Sequence, residues 1–117
     1  MEFRRRAPRI KTQGWQGRCR LEGQPVSAWA ECNVVDLSLL GIGVEIAGGE
    51  LGDLVGHELV VEVQTPVGHS VRLEVVGLVR NQALLTSGRT RVGIEFDDLS
   101  DTEKEILKVV EQLKMFW

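Results

Sequence analysis

Two short stretches carry side chains suited to chemistry. The first, Arg4-Arg5-Arg6-Ala7-Pro8-Arg9, places four guanidiniums ahead of the first apolar run. A guanidinium grips a phosphate through paired hydrogen bonds and stacks on aromatic planes. Pro8 holds Ala7 in extended conformations, so the stretch reads as a non-helical cationic arm. The second, Asp36-Leu37-Ser38-Leu39-Leu40-Gly41, closes a strand-like run. With a side-chain period of two, Asp36 and Ser38 share one face if the strand continues through them. The carboxylate accepts hydrogen bonds, the hydroxyl donates or accepts, and Gly41 admits close backbone approach. Each stretch also has a plain structural reading: a solvated basic terminus, and an Asp/Ser turn between strands.

The elements that must position these groups are short. Thirteen glycines spread between brief apolar runs predict many turns, and hence β-structure. Strands are expected over Trp15–Glu22, Ser27–Leu37, Ile42–Ile46, His57–Thr65, Ser70–Arg80 and Arg91–Phe96. Glu22-Gly23-Gln24-Pro25 turns between the first two, and Pro66-Val67-Gly68 between the fourth and fifth. Leu59, Val61 and Val63 share a face, as do Leu73, Val75, Gly77 and Val79, and then Val92, Ile94 and Phe96; Trp29, Cys32 and Val34 are inward candidates in the second strand. The period then changes. Ser100-Asp101-Thr102-Glu103 is a capping box, and Ile106, Val110 and Leu113, widened by Leu107, Val109 and Phe116, form a helical stripe. The expected fold is mostly β: a six-stranded antiparallel barrel, whose closure removes exposed edges, with one C-terminal α-helix. A single domain over 1–117 is read as a flexible basic arm (1–11), the barrel (12–98) and the helix (100–116).

Composition narrows the function classes. With 117 residues, 43% hydrophobic and 26% charged, the chain suits one globular domain and excludes a disordered tail or a fibre. No apolar run approaches the roughly 20 residues of a membrane-spanning helix, so no membrane insertion is expected. The arginine-rich start has no apolar segment behind it, as a secretory signal requires. Cys19 and Cys32 are too few for a disulfide framework or a structural zinc site, so a cytoplasmic location is expected. The net charge of −3 is unevenly spread. Residues 1–20 hold seven basic side chains against the single acid Glu2, a balance of +6, which leaves −9 for the remainder. A basic end on an acidic body suits a small anionic partner met locally better than a nucleic-acid polymer.

Taken together, Arg5-x-x-x-Arg9 and Asp36-x-Ser38-x-x-Gly41 resemble the paired motifs of the PilZ domain family, bacterial receptors for the second messenger cyclic di-GMP. Val92-Gly93-Ile94-Glu95-Phe96, with the short acidic loop and terminal helix after it, is similar to the end of such a domain, so the resemblance covers nearly the whole chain. Leu40 departs from the pattern, standing where many members carry a second glycine. The resemblance implies a PilZ-like split barrel and cyclic di-GMP as ligand, with no cofactor. By motif, Arg5 and Arg9 clamp phosphates and guanine edges or faces, and Asp36 accepts from a guanine ring N–H and amino group. Ser38 bonds a phosphate or base edge, and Gly41 lets the backbone approach. Arg4 and Arg6 are candidates for additional ligand contacts that no motif assigns. The implied function is a receptor or adaptor in signal transduction, not an enzyme, with output through an unidentified downstream protein. The alternative is an interaction adaptor of the same fold that does not bind nucleotide; the intact motif residues weigh against it.

The remaining candidates read as structural. Cys19 and Cys32 face each other across the first hairpin as buried thiols. His57 and His69 have no partners at ligand spacing, so no metal is expected. Trp15, Trp29 and Trp117 read as packing residues. The apolar tip Met115-Phe116-Trp117 points to a homodimer through the C-terminal helix, or to docking on a partner. Small split barrels also hold flavin, but nothing beyond the arginines resembles a flavin phosphate site. No basic face interleaved with aromatics lies outside the arm, so no nucleic-acid polymer is expected as partner.

Overall fold

The computed structural model describes residues 10–25, 28–38, 40–47, 52–65 and 72–96. Within them the six expected strands form: β1 (Ile10–Leu21), β2 (Ala30–Leu37), β3 (Gly41–Ile46), β4 (Glu58–Gln64), β5 (Arg72–Leu84) and β6 (Thr90–Phe96). Three boundaries differ from the pattern reading by three residues or more. β1 starts at Ile10 rather than Trp15, so Ile10 and Lys11 belong to the barrel and not to the arm; β2 starts at Ala30, and β5 runs past Arg80 to Leu84. Arg4, Arg5, Arg6 and Arg9, the Pro66-Val67-Gly68 turn, His69, the helix expected over 100–116 and Trp117 lie outside the described residues.

The strands close in the order β1-β2-β3-β6-β5-β4, each antiparallel to its neighbours. β4 and β5 pair from Glu58↔Leu78 to Gln64↔Arg72, and closure comes from β1 against β4, Gly17↔Val63 to Leu21↔Leu59. The interior follows the alternation of the sequence. Cys32, Val34, Val44, Ile46, Leu59, Val61, Val63, Leu73, Val75, Val79, Val92 and Ile94 fill one contiguous core. Each such side chain contributes about 1.5–3 kcal/mol by leaving water. Val60, on the outward side of β4, is buried as well, while Glu58 and Gln64 on that side are exposed.

Trp29 does not point inward. It lies just before β2 and differs in parity from Cys32 and Val34, so the pleat turns it to the outer face. There its ring meets the guanidiniums of Arg18 and Arg20, at 4.6 Å and 4.8 Å from the ring centre. Trp15 does pack against the core. Cys19 and Cys32 are buried and unbridged, diagonal neighbours across the Gly17↔Cys32 and Cys19↔Ala30 pairs. The hydrogen bond with Cys19, reinforced by burial, holds the Cys32 thiol well above the ordinary thiol range. Both thiols are only 2% exposed, so Ellman's reagent is expected to leave them unmodified in the native protein and to titrate both on unfolding. Rapid reaction of the folded protein contradicts this arrangement.

The walls also meet tightly where side chains are absent. A Cβ on Gly77 would stand 2.5 Å from the Glu95 carbonyl oxygen and 2.6 Å from Ile94 Cγ2, so β5 and β6 must separate to admit it. Gly77→Ala is expected to destabilise the fold by about 1–3 kcal/mol, read as a melting temperature lower by several degrees. An unchanged melting temperature refutes that reading of the β5–β6 contact.

Candidate functional site

In an uninterrupted strand that turns Val34 inward, Asp36 points inward too and would sit in the apolar core. A bulge prevents this. Val34 pairs with Val44, but Asp36 pairs with Gly43, so Val35 is an extra residue in β2 relative to β3. The inserted residue exchanges the faces of the positions after it. Leu37 enters the core opposite Ile42, and Asp36 turns to the outer wall. β1 is irregular at the same level, its register jumping from Lys11↔Asp36 to Trp15↔Val34. There the Thr12 hydroxyl donates to the Val34 carbonyl.

Across the outer wall Asp36 belongs to a lateral row: Lys11, Asp36, Gly43, Gly93 and Asn81, on β1, β2, β3, β6 and β5 in turn. The middle of the row is two facing glycines. A Cβ on Gly43 would lie 2.9 Å from Asp36 Oδ1, and one on Gly93 would lie 2.5 Å from Asn81 Oδ1. The carboxylate and the amide thus lie down over bare backbone from opposite sides. A second bulge, at Arg80, sets Asn81 opposite Gly93. Arg91 completes the group: its Nη2 donates to Asp36 Oδ2 at 3.0 Å. Asp36 is nearly covered, its side chain 8% exposed against 40% for Arg91.

Ser38 lies just past the end of β2 and is turned into the β2–β3 connection. Its hydroxyl accepts N–H bonds from Leu40 (3.1 Å) and Gly41 (3.2 Å) and faces the Gly41 carbonyl at 3.4 Å, while its own N–H donates to that carbonyl at 2.9 Å. The strand does not continue through Ser38, so Asp36 and Ser38 are not simply one face of one strand. Gly41 is required by the fold, since a Cβ there would run into the Ile94 carbonyl of β6. Leu40 uses both of its backbone groups: the N–H on Ser38, and the carbonyl accepting from Phe96 at 2.9 Å. The turn is thereby tied to the end of β6.

Of the sequence-derived site residues, Asp36, Ser38 and Gly41 come together at the end of β2 and the start of β3. Arg5 and Arg9, with Arg4 and Arg6, lie outside the described residues but lead directly into β1, where Ile10↔Leu37 and Lys11↔Asp36 begin. Arg91, Asn81 and Gly43 were not marked by any local pattern, and Gly93 only as part of Val92–Phe96; their adjacency to Asp36 exists only once β3, β6 and β5 are aligned. Elsewhere, a shallow groove of about 180 Å³ lined by Gln16, Gly17, Arg18, Glu31, Glu62 and Gln64 shares none of these residues. Among the described residues no cluster of three His, Cys, Asp or Glu side chains is placed to hold a metal, and no helix is long and apolar enough to cross a membrane.

The PilZ domain family model matches residues 3–112, and the chain belongs to that family. No curated protein matches the sequence. Among solved structures it is similar to the PilZ domain of YcgR with cyclic di-GMP from Escherichia coli, at 17% identity and a TM-score of 0.72 over 96% of this chain and 92% of that one. MotI/DgrA, the inhibitor of motility of Bacillus subtilis, matches at 16% identity and a TM-score of 0.73, covering 94% and 51%. A longer Escherichia coli YcgR chain in complex with cyclic di-GMP matches at 22% identity and 0.72, covering 96% and 46%. The chain thus spans about half the length of those two proteins. At these identities the likeness speaks for the fold, and the barrel expected from the sequence is the one these proteins share.

The Ser38 hydroxyl serves two backbone donors in a buried turn, and an unsatisfied buried donor costs about 1–3 kcal/mol. Ser38→Ala is therefore expected to lower the unfolding free energy by an amount in that range, read as a lower urea midpoint with the denaturant slope unchanged. A midpoint equal to the wild type shows that the turn does not depend on the hydroxyl.

Proposed function

We propose that this chain is a cyclic di-GMP receptor in which an N-terminal arginine arm clamps the nucleotide against the outer wall of the barrel. The observation that carries this reading is the Asp36 carboxylate. A bulge turns it out of the core and lays it over a glycine floor, in register with the strand that the arm leads into. Asp36 accepts the ring N–H and amino group of a guanine, an edge that adenine does not offer. Arg5 and Arg9 hold phosphates and stack on or bond to guanine, the arrangement for which a planar guanidinium is suited. Arg4 and Arg6 add contacts to phosphate. Ser38 and Gly41 shape the turn beside Asp36 and approach the ligand through hydroxyl and backbone.

Structures of PilZ proteins holding cyclic di-GMP support the ligand. The four arginines of residues 1–9, against the single acid Glu2, support an arm acting on an anion. In this reading the protein is a receptor and not an enzyme, works in the bacterial cytoplasm, and passes its signal to a downstream protein. Nucleotide draws residues 4–9 onto the wall, ordering coupled to binding.

Isothermal titration of cyclic di-GMP into the wild type and into Arg5→Ala, Arg9→Ala and Asp36→Ala tests the reading. Loss of a charge-assisted contact of about 1.5–3 kcal/mol is expected to weaken binding roughly tenfold or more in each variant. A folded wild type that takes up no heat-detectable nucleotide overturns the receptor and leaves an adaptor of the same fold. Hydrogen exchange reads the arm separately: amides of residues 4–9 are expected to slow with ligand, and equal exchange in both states removes the clamp.

A further inference from the structure

The geometry points to Arg91 as a positioning residue for the Asp36 carboxylate, one that sets the guanine acceptor without itself meeting the nucleotide. This inference rests on the receptor reading above. A carboxylate as covered as Asp36 is costly to hold without a charged or multiply hydrogen-bonded partner. Arg91 supplies the charge, through a bond of 3.0 Å. A guanine brings two N–H donors to such a carboxylate but no charge, so it adds to the guanidinium and does not replace it. Removing Arg91 takes away a charged hydrogen bond that helps fix the orientation of the carboxylate.

The neighbourhood directs Arg91 to Asp36 specifically. Directly opposite Arg91 across the β3–β6 ladder is another carboxylate, Glu45, the nearer partner by register. Glu45 is instead engaged by Arg89, whose Nε lies 3.4 Å from Glu45 Oε1 and whose Nη2 donates to the Glu45 carbonyl at 3.2 Å. On the β5 side Arg91 is paired with Ala83, which offers no charge or hydrogen bond from its side chain. The path from β6 to Asp36 on β2 crosses β3 at Gly43, where no side chain intervenes. Arg91 on β6 and Arg89 just before it are thus assigned to two acids, and the glycine lets the longer reach succeed.

The test is titration of cyclic di-GMP into the wild type, Arg91→Ala, Arg91→Lys, Gly43→Ala, Asp36→Asn and the double variant Asp36→Asn/Arg91→Ala, with circular dichroism to identify any variant that fails to fold. Arg91→Ala is expected to weaken binding about tenfold. Arg91→Lys recovers part of that, since an ammonium keeps the charge but not the planar fork. Gly43→Ala leaves both charged groups in place but crowds the carboxylate off its bed, and is expected to weaken binding as well. In the Asp36→Asn background, where an acceptor oxygen remains but the charge is gone, removing Arg91 is expected to change affinity by less than about threefold, the mark of a residue acting through its partner. An undiminished tenfold loss in that background means that Arg91 touches the nucleotide directly, and overturns the inference. So does wild-type affinity in Arg91→Ala; if that variant is unfolded, wild-type affinity in both Arg91→Lys and Gly43→Ala overturns it equally. In these cases the wild type still binds and the receptor reading stands. A wild type that does not bind overturns both.

Discussion

A β-strand offers two sides in strict alternation, and in a closed barrel one of those sides is the core. An acid two residues beyond an inward valine is therefore directed into the core unless the alternation is broken. Val35 breaks it. The extra residue lets Leu37 take the inward place opposite Ile42 and delivers Asp36 to the outside at the end of the same strand. The rest of the site depends on that exchange. The facing glycines matter because they give the turned carboxylate a place to lie. The Ser38 turn matters because it ends β2 immediately after the exchange and ties the connection to Phe96 through Leu40.

The range of each interaction decides how much of this was legible in the sequence. The alternating runs in β4, β5 and β6 predict their own inward faces, because adjacent positions in one strand determine them. The parity that places Trp29 outside was present in the sequence as well: 29 is odd, and the buried Cys32 and Val34 are even. The bulge was not legible, because Val-Val-Asp-Leu reads as well as a regular strand. Nor was Arg91, which lies 55 residues from Asp36 and reaches it only through the order β2-β3-β6. Gly41 and Ser38 were singled out for chemistry through a resemblance. The structure adds a second reason for each, a close β3–β6 contact and a hydroxyl-capped turn, so one motif position carries a structural and a chemical requirement together.

The distribution of charge fits a division of labour between arm and wall. On the described wall four arginines face acids: Arg18 with Glu62, Arg80 with Glu95, Arg89 with Glu45 and Arg91 with Asp36. The partly exposed pairs among them, all but Arg91 with Asp36, add about 0–1 kcal/mol each to stability and weaken with salt. Their larger effect is to leave the wall without a broad cationic field, so that the surplus positive charge is concentrated in residues 1–20. A long polyanion would find little along such a wall, whereas a compact dianion needs only the place where arm and wall meet.

Closure of the barrel also restricts how the protein can be recognised. Each of the six described strands has a hydrogen-bonded neighbour on both sides, but β1 before Gly17 pairs only with β2, and β5 pairs with β4 only up to Leu78 and with β6 only from Gly77. Along the rest of the described barrel, strand addition, in which main-chain bonds supply affinity almost regardless of side chains, has no edge to use. There a partner must instead read side chains on the wall or segments beyond it. Contacts of that kind rest on a few residues and change with single substitutions. Two barrels with the same backbone can therefore answer one messenger and address different proteins, diverging in their partners without any change in the architecture that receives the signal.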